Sequence, residues 1–130
     1  MEIKVMAVGS AKTKGLKRRP RIRLAGFWLN AIGFTPDSLV TARYENKSIT
    51  FKAEGTGIHT YKALVRRNRA DNSGLLQVTE EFHNKKRTPH FEVKGFWLEM
   101  LGFTIGSIIV VKYEYGSISI KLLELDKLGF

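Results

Sequence analysis

The chain contains no cysteine. That excludes disulfides, thiolate zinc sites and thiol nucleophiles, and leaves a reducing cytoplasm as the default compartment. No apolar run approaches the ~20 residues a bilayer span needs. The opening Met1-Glu2-Ile3-Lys4-Val5 lacks the layout of a signal peptide, so no membrane partner is expected. Histidine is scarce: His59, His83 and His90 are the only ones, and none forms a helical pair, so no metal is expected. Gly9-Ser10-Ala11-Lys12-Thr13-Lys14-Gly15 lacks the glycine–lysine–hydroxyl spacing of a phosphate loop, and no serine stands in a nucleophile motif; no cofactor is expected. Acid is scarce too, with 12 Asp and Glu against 22 Lys and Arg, a net charge of +10.

The charge is unevenly spread. Residues 1–54 carry 11 basic and 4 acidic side chains, residues 55–74 carry 4 and 1, and residues 75–130 carry 7 and 7. The whole excess lies in the first half and in the stretch after it. Such asymmetry fits a protein that turns one face to a polyanion and uses the other for structure.

What the chain has in abundance is itself. Gly26-Phe27-Trp28-Leu29 and Gly33-Phe34-Thr35 return 69 residues later as Gly95-Phe96-Trp97-Leu98 and Gly102-Phe103-Thr104. Between residues 19–54 and 88–123 there are 14 identities in 36 positions and no gap. Most other pairs exchange apolar for apolar, as in Ile22/Phe91, Leu24/Val93 and Val40/Ile109. This is a tandem duplication. A unit of roughly 50 residues buries too little surface to be secure alone. Two units pooling their apolar faces escape that limit, so one domain over 1–130 is expected. It comprises a first repeat (1–54), a connector (55–74) and a second repeat (75–130).

Each repeat reads as strand, basic loop, strand, short helix, strand, turn, strand. In the first, residues 3–8 are β-rich, 9–20 form an exposed basic loop, and Arg21-Ile22-Arg23-Leu24 alternates as a strand with the arginines outward. Residues 27–32 are helical, closed by Gly33 with Phe34 folding back on Leu29. Strands over 38–44 and 49–53 form a hairpin in which Asn46, and Gly116 in the second repeat, supply the positive φ. The second repeat has its own leading strand (75–82), basic loop (83–88) and helix (96–101), the two helices being related by an approximate twofold. The connector reads either as a helix with Tyr61, Leu64 and Val65 on one face, or as a strand over 59–65 that hairpins into 75–82.

The pattern Pro20, Ile22, Leu24, Gly26, Trp28, Leu29, Gly33, Phe34, repeated as Pro89, Phe91, Val93, Gly95, Trp97, Leu98, Gly102, Phe103, resembles the SymE-like toxin domain. The two copies and their leading strands cover roughly 80 of the 130 residues. The first copy departs at Asp37, where the family's glycine stands, kept as Gly106. The resemblance implies a mainly β chain with two short helices, an AbrB-like swapped-hairpin β-barrel formed as an intramolecular pseudo-dimer. It also implies a toxin–antitoxin context and action on RNA, with an antitoxin or other protein as a further partner. It supplies no catalytic residue set. The same superfamily includes binding-only DNA regulators, which leaves that function, or a protein-interaction module, as the alternative.

Seven cations lie within twelve residues: Lys12, Lys14, Lys17, Arg18, Arg19, Arg21 and Arg23. A segment of this density tracks a phosphate backbone and gains affinity by releasing counterions. Arg43 and the connector cations Lys62, Arg66, Arg67 and Arg69 extend the expected nucleic-acid surface. Phe27-Trp28 and Phe96-Trp97 offer rings for unpaired bases, but Trp28 shares a face with Leu29 and Ile32, so the pairs are read as core. Metal-free RNA cleavage needs a base, an acid and a cation. Glu80, Glu81, His83, Lys85, Lys86, Arg87 and His90 supply those types within eleven residues, with Glu81, His83 and His90 as candidate acid–base groups. Spacing alone orients none of them.

Overall fold

A computed structural model describes residues 2–12, 17–67, 73–83 and 85–124. Lys14 and Arg69 lie outside the described residues, as do the side chains of Arg66, Arg67 and His83.

The described residues form ten strands, most of them with alternating apolar and polar side chains. The first repeat gives β1 (Glu2–Ala7), β2 (Gly9–Lys12), β3 (Arg18–Ala25), helix α1 (Trp28–Ala31), β4 (Leu39–Glu45) and β5 (Ser48–Gly55). The connector forms helix α2 (Ile58–Arg67). The second repeat gives β6 (Ser73–Gln77), β7 (Thr79–His83), β8 (Lys86–Lys94), α3 (Trp97–Met100), β9 (Ile108–Glu114) and β10 (Ser117–Leu122). Among the described residues no helix is long and apolar enough to cross a membrane.

The strands form two antiparallel sheets, ordered β1-β9-β10-β5-β4-β6 and β2-β3-β8-β7. Exchanging each first-repeat strand for its second-repeat equivalent reverses both orders without changing them. The repeats are interleaved: β1 pairs with β9, β6 with β4, β3 with β8 and β10 with β5. The sheets do not close into one barrel. They are joined at two corners, the buried Val8 between β1 and β2 and the buried Val78 between β6 and β7. At each corner the chain steps from the larger sheet to the smaller. The Val8 carbonyl accepts from Gly106 N–H (2.8 Å), and the Val78 carbonyl from Asp37 N–H (2.8 Å). Asp37 has φ +68° and Gly106 +86°, so the aspartate holds the backbone shape of its glycine equivalent. Short polar side chains tolerate that region better than most.

The inner faces pack into a single core. Ile22, Leu24, Phe91 and Val93 of the smaller sheet meet Ala42, Phe51, Ile109, Ile118 and Ile120 of the larger. The Phe91 ring stands edge-on to Phe51 at 5.1 Å and stacks on Phe34 at 5.7 Å. Each of these side chains larger than alanine contributes about 1.5–3 kcal/mol. The aromatic pairs Trp28–Tyr113 (4.7 Å) and Trp97–Tyr44 (4.6 Å) each cross from one repeat to the other.

The short helices end as expected. Gly33, at φ +89°, donates to Asn30 O (3.2 Å) and Phe34 to Leu29 O (2.8 Å); Gly102, at +98°, donates to Glu99 O (3.0 Å) and Phe103 to Leu98 O (2.9 Å). These are the paired bonds of a Schellman ending, with both phenylalanines buried. The second hairpin turn has its positive φ at Gly116 as expected, and the first differs by one residue. Positive φ falls on Lys47 (+62°), the equivalent of Gly116 (+79°), and not on Asn46. Glu45 pairs with Ser48, so this register makes Lys47 the second residue of a two-residue loop.

The basic loop is shorter than the sequence implies. Gly9–Lys12 pairs with Arg18–Arg21 as strand, which puts Lys12, Arg18 and Arg19 on β2 and β3. Ladder pairing overrides the weak β-propensity of Gly-Ser-Ala-Lys. Gly9 pairs with Arg21 while its equivalent Thr79 pairs with His90. The offset between repeats is thus 70 before this loop and 69 after it, and the first-repeat loop is one residue longer.

Candidate nucleic-acid interface

On β3 the even-numbered Pro20, Ile22 and Leu24 are buried, so Arg19, Arg21 and Arg23 stand on the outer face of the four-stranded sheet. A strand cannot rotate single side chains away, so this face presents a fixed guanidinium row, with about 6.6 Å between successive arginines along the strand. Arg21 is paired with Lys94 across the β3–β8 ladder and Arg23 with Glu92. Gly9 and Ala11, opposite Arg21 and Arg19, leave that flank open. At the loop end of the hairpin are exposed Lys12, Lys17 and Arg18; alternation sets Lys12 and Arg18 on the side of Pro20 rather than on that of the row, and Arg18 donates to the Ser10 hydroxyl there at 3.0 Å.

Carboxylates from the second repeat reach into this row. Arg23 is ion-paired with Glu81, and Arg21 Nη1 lies 3.8 Å from Glu92 Oε2, with Lys94 Nζ 3.5 Å from the other oxygen. The arginine side chains remain 39% and 36% exposed. Exposed pairs of this kind contribute only about 0–1 kcal/mol. Guanidinium groups in pairs this weak stay open to exchange for a bidentate anion. The pairs also hold the side chains extended over the sheet. A shallow depression lined by Arg21, Arg23, Ala25, Gly26, Glu81 and Thr88 lies on the same face.

The other expected contacts are not brought here. Arg43 alternates with buried Ala42, so it points out from the six-stranded sheet, in an ion pair with Glu45 at 3.0 Å. Lys62 is exposed on α2, which packs against β4 of that same sheet. The inner faces of the two sheets meet in one core, so Arg43 lies on the opposite side of the molecule from the β3 row. The connector is helical because Leu64 finds a buried site outside the main core, not because it serves the arginine face.

The acid–base candidates are assembled only in part. His90 and Glu81 stand on the same outer face, paired respectively with Thr79 and Thr88. His90 Nδ1 is hydrogen-bonded to the Thr79 hydroxyl at 3.0 Å, and the Glu81 carboxylate is held by Arg23. Each therefore has its own structural partner. His83 ends β7, in register with Lys86. Glu80 is turned to Arg87 (3.3 Å), on the opposite side of the strand from Glu81.

Two features escaped the sequence reading. Lys94 joins the row only because β8 pairs with β3, an inter-repeat contact no local pattern contains. Phe27 and Phe96 were grouped with their tryptophans, yet they are exposed, while Trp28 and Trp97 pack against the core with indole N–H bonds to Ala25 O (2.9 Å) and Lys94 O (3.1 Å). Gly26 and Gly95 make that possible. A Cβ on either would sit 2.8 Å from the indole Cδ1, and their φ values are +129° and +138°.

Set against protein-family models, curated proteins and solved structures, the chain matches none of them.

Proposed function

We propose that the protein binds nucleic acid through the outer face of its four-stranded sheet. In this reading it is a SymE-like toxin module that acts on RNA, with an antitoxin as its protein partner. The observation that carries the binding is the row Arg19, Arg21, Arg23, set outward by β-alternation and flanked by Lys94, with the exposed cations Lys12, Lys17 and Arg18 at the loop end of the same hairpin. Interleaving of the repeats through β1–β9 and β6–β4 supports the finer description of the fold as an AbrB-like swapped-hairpin pseudo-dimer in one chain. The contacts are to phosphate, so affinity exceeds specificity.

A second reading, a binding-only regulator of the AbrB kind, is favoured by one observation. Glu81 and His90 are engaged by Arg23 and Thr79 and do not converge as an acid–base pair.

Labelled RNA, single-stranded DNA and duplex DNA titrated with the protein between 50 and 200 mM salt test the proposal. Affinity is expected to fall steeply with salt, in proportion to the phosphates engaged. Arg19→Ala, Arg21→Ala and Arg23→Ala together should flatten that slope without unfolding the chain. Binding indifferent to salt overturns the reading. Following the RNA by gel in the same titrations separates toxin from regulator. Cleavage lost in His90→Ala or Glu81→Gln assigns the acid–base role; intact RNA throughout favours the regulator.

A further inference from the structure

Phe27 and Phe96 are equivalent residues of the two repeats, 54% and 53% exposed, each preceding a one-turn helix. Neither helix start needs a phenylalanine: both residues have helical φ and ψ and make no side-chain cap. Nor does the core, which takes the neighbouring Leu29 and Leu98 fully. The Arg19 guanidinium lies over the Phe96 ring, 5.0 Å from its centroid, which places that ring on the arginine side of the sheet. Gly95 N–H donates to Pro20 O (3.1 Å) and Gly26 N–H to Pro89 O (3.1 Å), so the two phenylalanines mark opposite ends of the β3–β8 ladder. Six residues of strand separate those ends, roughly 20 Å. Between them run Arg21, Arg23 and Lys94.

We propose that this face takes single-stranded nucleic acid, with unpaired bases stacked on Phe27 and Phe96 and the backbone carried along the cations between them. The inference rests on the polyanion-binding reading above and adds the class of strand. An exposed ring beside a cationic row offers a π-face, and only an unstacked base has a free face to meet it. Bases in a duplex are already stacked on each other. Arg19, already lying on Phe96, adds a cation–π contact to the same platform. A purely electrostatic surface has no use for two large exposed rings, whose exposure costs solubility.

The test is fluorescence anisotropy with a labelled 12-nucleotide oligo-pyrimidine and a duplex of equal length, each read at several salt concentrations. Phe27→Ala with Phe96→Ala should weaken single-strand binding by roughly tenfold or more, the loss expected from removing base–aromatic stacking. The salt slope and the duplex affinity should stay as in the parent. Phe27→Tyr with Phe96→Tyr should restore single-strand binding, whereas leucine at both positions, apolar but without a π-face, should not. Unchanged single-strand affinity in the alanine variant, or full rescue by leucine, overturns the stacking inference while a preserved salt slope leaves the polyanion reading standing. Absence of salt-dependent binding to either probe overturns both.

Discussion

Strands β3 and β8 lie side by side at the centre of the smaller sheet and descend from one ancestral strand. Their inner faces are interchangeable: Pro20, Ile22 and Leu24 answer to Pro89, Phe91 and Val93, all buried. Their outer faces are not. Arg19, Arg21 and Arg23 correspond to Thr88, His90 and Glu92. The inner positions must fill one shared core and were held to apolar residues of adjustable volume. The outer positions answer only to solvent and partner; there the first repeat carries three arginines, and the second carries the cation Lys94 next to Glu92. The second contributes Glu92 and Glu81, which pair with the arginines opposite. In place of the two equal faces of a homodimer, the sheet has one outer face with a basic strand and a largely counter-charged strand.

If the two repeats share one core, Phe34→Ala and Phe103→Ala should each cost about 3–5 kcal/mol. Urea denaturation followed by tryptophan emission and by far-ultraviolet circular dichroism should give coincident single transitions in both variants. Two separated transitions would break the claim that the repeats share one core. If the outer faces carry the functional difference, writing the β8 residues onto β3, as Arg21→His with Arg23→Glu, should lower nucleic-acid affinity by roughly a hundredfold, since each charge-assisted contact is worth about tenfold or more. The reciprocal His90→Arg with Glu92→Arg should tighten binding, and equal affinities for the two variants would mean the row is not the contact surface.

A smaller effect is expected where the repeats agree in backbone. Gly26→Ala and Gly95→Ala each force a Cβ into left-handed space against an indole ring, at a cost of about 1–3 kcal/mol. Near-ultraviolet circular dichroism should report the displaced tryptophan. The smallest effect separates Tyr44 from the rest of the aromatic set. Its phenol is raised above the ordinary 10.0 because burial strips its hydration. Above pH 10 the unfolded chain releases that proton while the folded state keeps it, so stability falls as pH rises through that range. Tyr44→Phe removes this contribution. Melting temperatures of the variant and the parent should therefore diverge above pH 10, in the variant's favour.

Much of this was legible beforehand because duplication supplies its own control. Several residues kept in both copies proved to have a geometric duty, Phe27 and Phe96 being exceptions. Gly33 and Gly102 close the helices, Phe34 and Phe103 fold back onto them, and Gly26 and Gly95 lie under the tryptophans. The outward direction of Arg21 and Arg23 followed from period-two alternation alone. The strand over Gly9–Lys12 was not legible, since its residues have little β-preference and are held by the ladder with β3. Nor was the separation of Arg43 and Lys62 from the β3 row, since linear proximity of charge says nothing about which sheet carries it. The exposure of Phe27 beside half-buried Trp28 depends on a glycine conformation that composition does not reveal.

The sequence by itself determined the duplication, the apolar periodicity that fills the core and the placement of the whole charge excess before residue 75. Those are local properties, written in spacing and side-chain type. Only the tertiary structure decided which cations share a face, that Lys94 and two carboxylates join them, and that the repeats interleave in two sheets joined at Val8 and Val78. Those outcomes depend on pairing between residues from 30 (Arg43 with Ser73) to 111 (Glu2 with Tyr113) positions apart. Such pairing is selected by the combined burial of both repeats, and neither copy encodes it alone.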